Sequence, residues 1–421
     1  MKKLLTLAAV ALLGASANAQ TITLKAEVSD ETRELAFATL DTTKVYIDWG
    51  DGVISDSCVC FPYDGYNVVS VTGTVKGEGK IKIYGNGITN FEATSKVTGP
   101  SITSIDLSSA KDLRIIELNG NIHLTEIDVT PCTELTKLNL SNDPVATLDL
   151  TKCPNLKNLE VNGTASTPCA LSSIDLSKNT ELTSLKLNFN NLAALDLTNN
   201  TKLTQIYALN NKIESLVLPS ELPGCKYLSV NNNLLTSFDG SSLTLMSKTV
   251  GNIFLTNNNI TSVANVKAKS VNVSNNKLMI STLPDATNIG TLTYAPQKTV
   301  EVASAMSTAL DLSSEYDEGN TTYALYVGTE AAAPEVYSVE NGVISFHQAV
   351  ENAYIAMTSS RLTNFKLSNA LKTTVFSVSE AASIDSVETE RADAPKFNLA
   401  GQLVRSAKGI VVVKGKKYLA K

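Results

Sequence analysis

The chain has 421 residues, with 35 Lys and Arg against 41 Asp and Glu and only two histidines. That acidic balance excludes the clustered cationic surface nucleic acid requires, and no run reaches the roughly 18 apolar residues of a membrane-spanning helix. Six cysteines in a chain this long do not make a disulfide-stapled scaffold, so buried apolar surface must hold the fold.

Residues 1–19 read as a secretory signal peptide: Lys2 and Lys3, an apolar run from residue 4 to 15, then Ala17-Asn18-Ala19 ahead of Gln20. The expectation is export to the outer cell surface or the medium, without membrane insertion. Glutamine rather than cysteine after the cut offers no site for a lipid anchor.

Residues 20–98 are strand-rich, with ITLKAEV, KVYIDWGDG, YNVVSVTGTV and GKIKIYGNGI alternating between glycines. They are expected to form a cap, because the open end of a repeat array exposes core. Asp48-Trp49-Gly50-Asp51-Gly52 reads as a tight turn with glycines at positive φ; calcium binding by Asp48 and Asp51 is the alternative. The stretch resembles the W-G-D-G turn of PKD-like β-sandwich modules.

From residue 99 to 295 the pattern L-x-x-L-x-L-x-x-N recurs. Its copies begin Leu113/Ile116/Leu118/Asn121 and Leu135/Leu138/Leu140/Asp143, and run through Leu182/Leu185/Leu187/Asn190 to Ala268/Val271/Val273/Asn276. A period near 21 residues lies at the lower end of the leucine-rich-repeat range. An offset half-repeat lies between the copies, as in Leu192/Leu195/Leu197, so each coil should carry two short extended segments. One coil cannot bury its own apolar face; stacked coils build a common core. Asn121, Asn190, Asn211, Asn233, Asn258 and Asn276 are expected to form a structural ladder that satisfies backbone groups where the chain leaves the strand. Asp143 and Thr164 are weaker rungs, and the 26-residue interval after Thr164 holds an insertion. Cys132 and Cys153 occupy equivalent half-repeat positions and should stack, as thiols or as a disulfide; Cys58 and Cys60 pose the same alternative.

The repeats resemble the short leucine-rich repeats of exported bacterial surface proteins, similar to internalin-like arrays, with LTSLKLNFNNLAALDLTNNTKLTQI the cleanest stretch. The resemblance implies protein or glycan binding on a curved surface. On the row that carries the asparagines, expected to be concave, the outward positions are Glu117, Asn139, Glu160, Lys186, Tyr207, Ser229 and Phe254. Tyr207, Tyr227, Phe254 and Lys186 are the proposed ligand-binding residues, since aromatics are enriched at binding hot spots. Asp106, Asp128, Asp149, Asp175 and Asp196 should form an outward column on the other row. It reads either as a strip for cations or basic partners, or as solvated carboxylates hydrogen-bonded by the adjacent Ser and Thr.

Residues 296–380 are expected to form an immunoglobulin-like β-sandwich, with Glu340-Asn341-Gly342-Val343 marking a hairpin. Residues 381–395 read as a linker. The final 396–421, with Phe397-Asn398-Leu399-Ala400-Gly401, Gly409 and a lysine-rich end, resembles the sorting domain of type IX secretion. The fold class is thus mainly β: a leucine-rich-repeat solenoid of about eight short coils flanked by β-rich caps. Two histidines outside any catalytic or phosphate-binding motif supply no material for a His-based triad or metal site, so the expectation is no enzyme, no catalytic residue, no metal and no cofactor. The leading reading is a binding module for a protein or glycan ligand. An architectural spacer and an extracellular glycan-active enzyme are the alternatives.

Overall fold

The computed structural model describes residues 19–65, 67–95, 101–306, 309–361 and 369–379, and four short strands between 396 and 420. The signal-peptide reading and the linker reading for 381–395 lie outside the described residues, as does much of the sorting-like segment, whose four short strands form one sheet. By internal packing the chain divides into two units. One runs to Leu278 and includes Thr282–Gln297; the other takes Met279–Ser281 and the residues from Lys298 onward.

The repeat dictates the first unit. In each coil the three middle residues of L-x-x-L-x-L form a short strand whose central residue points inward while its neighbours point out. Ile115–Glu117, Lys137–Asn139, Asn158–Glu160 and Ser184–Lys186 all show this half-buried, buried, half-buried alternation. Successive strands pair in parallel and in register, so that Leu138 lies beside Leu159, Leu159 beside Leu185, and Leu185 beside Ile206. The leucines before and after each strand, such as Leu182 and Leu187, are fully buried and complete the shared interior. The chain is a mainly β, leucine-rich-repeat solenoid.

The row continues beyond the eight expected copies at both ends. Ile289–Thr293 adds a strand in parallel to Ala268–Asn272, and Ile88–Glu92 pairs in parallel with Ile115–Glu117. Both fit the same spacing, as Ile88/Phe91/Ala93 and Ile289/Leu292/Tyr294/Gln297. The N-terminal region closes the open end by hydrogen bonding: Thr32–Thr39 runs antiparallel to Ile88–Glu92, and Val69–Thr74 antiparallel to Thr32–Thr39. On the other row, Ala19–Ala26 pairs antiparallel with Ile102–Asp106. Trp49 is fully buried in this region, and its Nε1–H donates to Asp56 Oδ2 at 2.6 Å.

The second row departs from a continuous ladder. Among the described residues after Ile102–Asp106 it forms strand pairs only at Ala194–Asp196 with Ser215–Val217 and at Ser237–Asp239 with Ser262–Ala264. Along this row the outward aspartate accepts a hydrogen bond from the backbone two residues on, in coils with and without strand pairing alike.

In the second unit, a six-stranded sheet including Thr321–Val327 and Val350–Ser359 and a three-stranded sheet share one core. That core contains Leu325, Ile344, Phe346, Ile355, Met357 and Phe376. The Asn-Gly hairpin forms as the sequence demands, with Asn341 and Gly342 at φ 49° and 83° between paired strands. Among the described residues no helix is long and apolar enough to cross a membrane.

Candidate ligand face of the solenoid

The first strand row offers two outward columns, because the residues either side of each buried centre share one face. Tyr227 stands in the column of Gln205 and Asn252, whereas Tyr207 and Phe254 stand in the other, separated by Ser229. Serine there leaves room, and Tyr227 leans across it: its ring centroid lies 4.8 Å from that of Tyr207 and 5.4 Å from that of Phe254. Ser229 is buried although its backbone points it outward. The three rings are half-buried and contiguous over three consecutive coils. Burial, followed by the neighbouring Tyr227 hydroxyl, raises the Tyr207 phenol above its ordinary value.

The same face is charged toward its N-terminal end. Lys186 Nζ lies 2.9 Å from Glu160 Oε1, and Lys137 pairs with Glu117 across adjacent strands. Lys186 is therefore a partner of Glu160 as well as an outward residue beside Tyr207. Asn139 Nδ2 donates to Glu117 Oε2 at 3.3 Å. Glu92 titrates above the usual carboxylate range through burial first and the charge of Glu117 second. These cross-strand pairs come from register and were not singled out by the repeat spacing.

Beneath this face runs the amide ladder. Asn233 Nδ2 donates to the Ala208 and Val230 carbonyls, each at 2.9 Å, and its Oδ1 accepts from the Ile213 N–H at 2.9 Å. Asn190, Asn211, Asn258 and Asn276 repeat this pattern, and Asn121 accepts from the Ile102 N–H at 2.8 Å. Gln297 supplies the last rung, donating to the Val273 carbonyl at 2.9 Å. Asp143 occupies a rung with Oδ1 on the Asn121 N–H at 2.6 Å; Oδ2 is buried with no hydrogen-bond partner, and burial pushes the carboxyl up to about 8. Thr164 is exposed and bonds its own loop through Ser166 and Thr167, so it is not a rung; the buried Cys169 thiol lies against the backbone of Asn142 and Asp143 instead.

A second ladder explains the cysteines. Asn200 Nδ2 donates to the Leu176 and Asn179 carbonyls, and Asn179 Nδ2 to those of Leu150 and Cys153. One coil earlier, the Cys153 thiol points to the Val129 and Cys132 carbonyls at 3.6 and 3.7 Å, a weaker version of the same contact. All six cysteines are free and buried, so both candidate pairs are thiols; Cys58 and Cys60 place their sulfurs 3.3 Å apart.

The outward aspartates are engaged locally. Asp149, Asp175 and Asp196 each accept a backbone hydrogen bond of 2.9 Å from the Ser or Thr two residues on. Those hydrogen bonds hold the three carboxyls below their usual range. Asp48 Oδ1 accepts from the Gly50 and Gly52 N–H groups and Asp51 pairs with Lys76, which makes this segment a turn. His123 Nδ1 contacts Glu27 at 2.6 Å, and His347 Nε2 lies 3.0 Å from Ser338 Oγ. Among the described residues, no three His, Cys, Asp or Glu side chains are grouped to hold a metal ion.

No family model matches the sequence, and no curated protein matches it. Among solved structures, the chain is similar to the functional domain of InlJ from Listeria monocytogenes, which includes a cysteine ladder. That match has 16% identity and a TM-score of 0.34, covering 66% of this chain and 69% of that one. It is also similar to InlP of the same organism, at 15% identity and a TM-score of 0.37, over 65% and 76% of the two chains. A leucine-rich-repeat protein of Leptospira interrogans matches at 21% identity and a TM-score of 0.35, over 46% of this chain and 51% of that one, about half its length. Identities of this size carry no information on ligand.

Proposed function

We propose that the chain is an exported, non-enzymatic recognition protein that holds a protein or glycan ligand on the first strand row of its solenoid. The observation behind this reading is the contiguous patch of Tyr207, Tyr227 and Phe254, assembled by register over Ser229 and left half-exposed. Rigid aromatic side chains offer large contact area at small entropic cost, and they concentrate binding energy. Export rests on the signal-like residues 1–19.

A protein and glycan array probed with the chain from residue 20 onward tests the proposal. A hit that Tyr207→Ala or Phe254→Ala weakens by tenfold or more, roughly 1.4 kcal/mol, supports it. Absence of any hit moves the weight to a surface spacer. The N-terminal half of the face favours that second reading, since its lysines are already paired with Glu117 and Glu160.

A further inference from the structure

The second row of the solenoid is paired in two places and open between them. Among the described residues, Ser215–Val217 pairs only with Ala194–Asp196, and Ser237–Asp239 only with Ser262–Ala264. The two inner strands belong to consecutive coils, yet they lie in separate sheets. Backbone hydrogen bonds close the interval at both ends: the Leu234 N–H donates to the Ile213 carbonyl at 2.9 Å, and the Leu222 N–H to the Ser242 carbonyl at 2.8 Å. Between these clamps lies a cavity of about 380 Å³ lined by residues of both strands, Val217, Phe238 and Asp239 among them.

The sequence departs from the repeat beside the opening. Where the preceding coil reads Asp196-Leu197-Thr198, with the Thr198 N–H donating to Asp196, this coil reads Val217-Leu218-Pro219. Proline has no N–H and valine no acceptor, so the local turn is lost. Val217 also interrupts the outward acidic column between Asp196 and Asp239, and it is 42% exposed. Leu216 and Leu218 are half-buried, whereas Leu195 and Leu197 are buried.

We propose that this opening is a docking slot for an extended basic peptide, which adds a strand between Ser215–Val217 and Ser237–Asp239. Unpaired strand edges present backbone donors and acceptors that an extended chain completes. Val217 offers an apolar contact for one side chain of the incoming strand. Glu214 and Asp239 line the slot, and no Lys or Arg does, so the lining selects for Lys or Arg in the ligand. The slot lies on a different row from the aromatic patch and is independent of any ligand held there.

Hydrogen exchange on the full chain, with and without an alternating Lys-Val hexapeptide as probe, tests the proposal. Without probe, those backbone amides of residues 215–218 and 237–239 that face the open interval should exchange about tenfold or more faster than those of the doubly paired strands Gln205–Tyr207 and Tyr227–Ser229. Millimolar probe should slow them, a Glu-Val hexapeptide should not, and Glu214→Lys, which reverses a charge on the lining, should weaken the protection by about tenfold. The proposal is overturned if these amides are already as slow as the paired strands, or if the basic probe leaves them unchanged. Equal protection by the acidic probe, or protection that grows with protein concentration alone, also overturns it, the latter in favour of self-association.

Discussion

Each ladder asparagine satisfies two carbonyls and one N–H that the turn would otherwise leave unpaired inside the solenoid, as Asn233 does for Ala208, Val230 and Ile213. Asn233→Ala should therefore cost about 2–4 kcal/mol, read as a lower urea midpoint, because buried polar groups lose their partners. Asp143 is the instructive exception: its Oδ1 accepts from the Asn121 N–H, and its buried Oδ2 has no hydrogen-bond partner. Its carboxyl titrates near 8 in the folded chain, while the unfolded group titrates near 4. The folded state thus keeps a proton that the unfolded chain releases; the favourable contribution is complete below pH about 4 and is lost as the pH rises through 8. Asp143→Asn should raise the unfolding free energy at pH 8 by on the order of a few kcal/mol, read as a higher urea midpoint, and leave it nearly unchanged at pH 4. A midpoint equal to wild type at pH 8 would contradict this role. The identity of the amide rungs was legible from spacing alone. That Thr164 leaves the ladder was not, because the loop carrying it bonds to itself through Ser166 and Thr167.

The first strand row was readable because one buried residue per short strand at a fixed interval admits a single register. The second row was harder: its leucines have the same spacing, yet among the described residues after Ile102–Asp106 strand pairing forms in only two places, and the outward Asp with its following Ser or Thr recurs in paired and unpaired coils alike. The aromatic patch was half legible. Alternation gives the direction of Tyr207 and Phe254, whereas the lean of Tyr227 over Ser229 depends on neighbouring strands. The row likewise could not reveal that Lys186 is partnered by Glu160, so Lys186→Ala should weaken a ligand far less than Tyr207→Ala, by no more than the about 0–1 kcal/mol of a surface ion pair. Titration calorimetry on both variants separates the two. The buried thiols make a further prediction. Burial pushes Cys132 up to about 12 and Cys153, Cys169 and Cys225 up to about 11, so a thiol reagent at pH 8 should label them only after denaturant is added. Rapid labelling of the native chain would mean that these coils open in solution.

Across the first unit, one hydrogen-bonded row runs from the antiparallel strands of the N-terminal cap through the whole solenoid. The sequence showed its middle plainly and its ends poorly. Ile88/Phe91/Ala93 and Ile289/Leu292/Tyr294/Gln297 keep the spacing but replace the leucine or asparagine at diagnostic positions, as end coils that meet something other than another coil must. What this continuity provides is a rigid strand face on which a three-ring patch is preassembled. The measurement closest to that claim is hydrogen exchange of the full chain bound to a ligand captured on the array. The account predicts slowed exchange concentrated on the strands Ser184–Lys186 through Asn252–Phe254, and its loss in the Tyr207→Ala and Phe254→Ala double variant at an unchanged melting temperature. Slowed exchange confined to the second row or to the second unit, with binding indifferent to both substitutions, would contradict it.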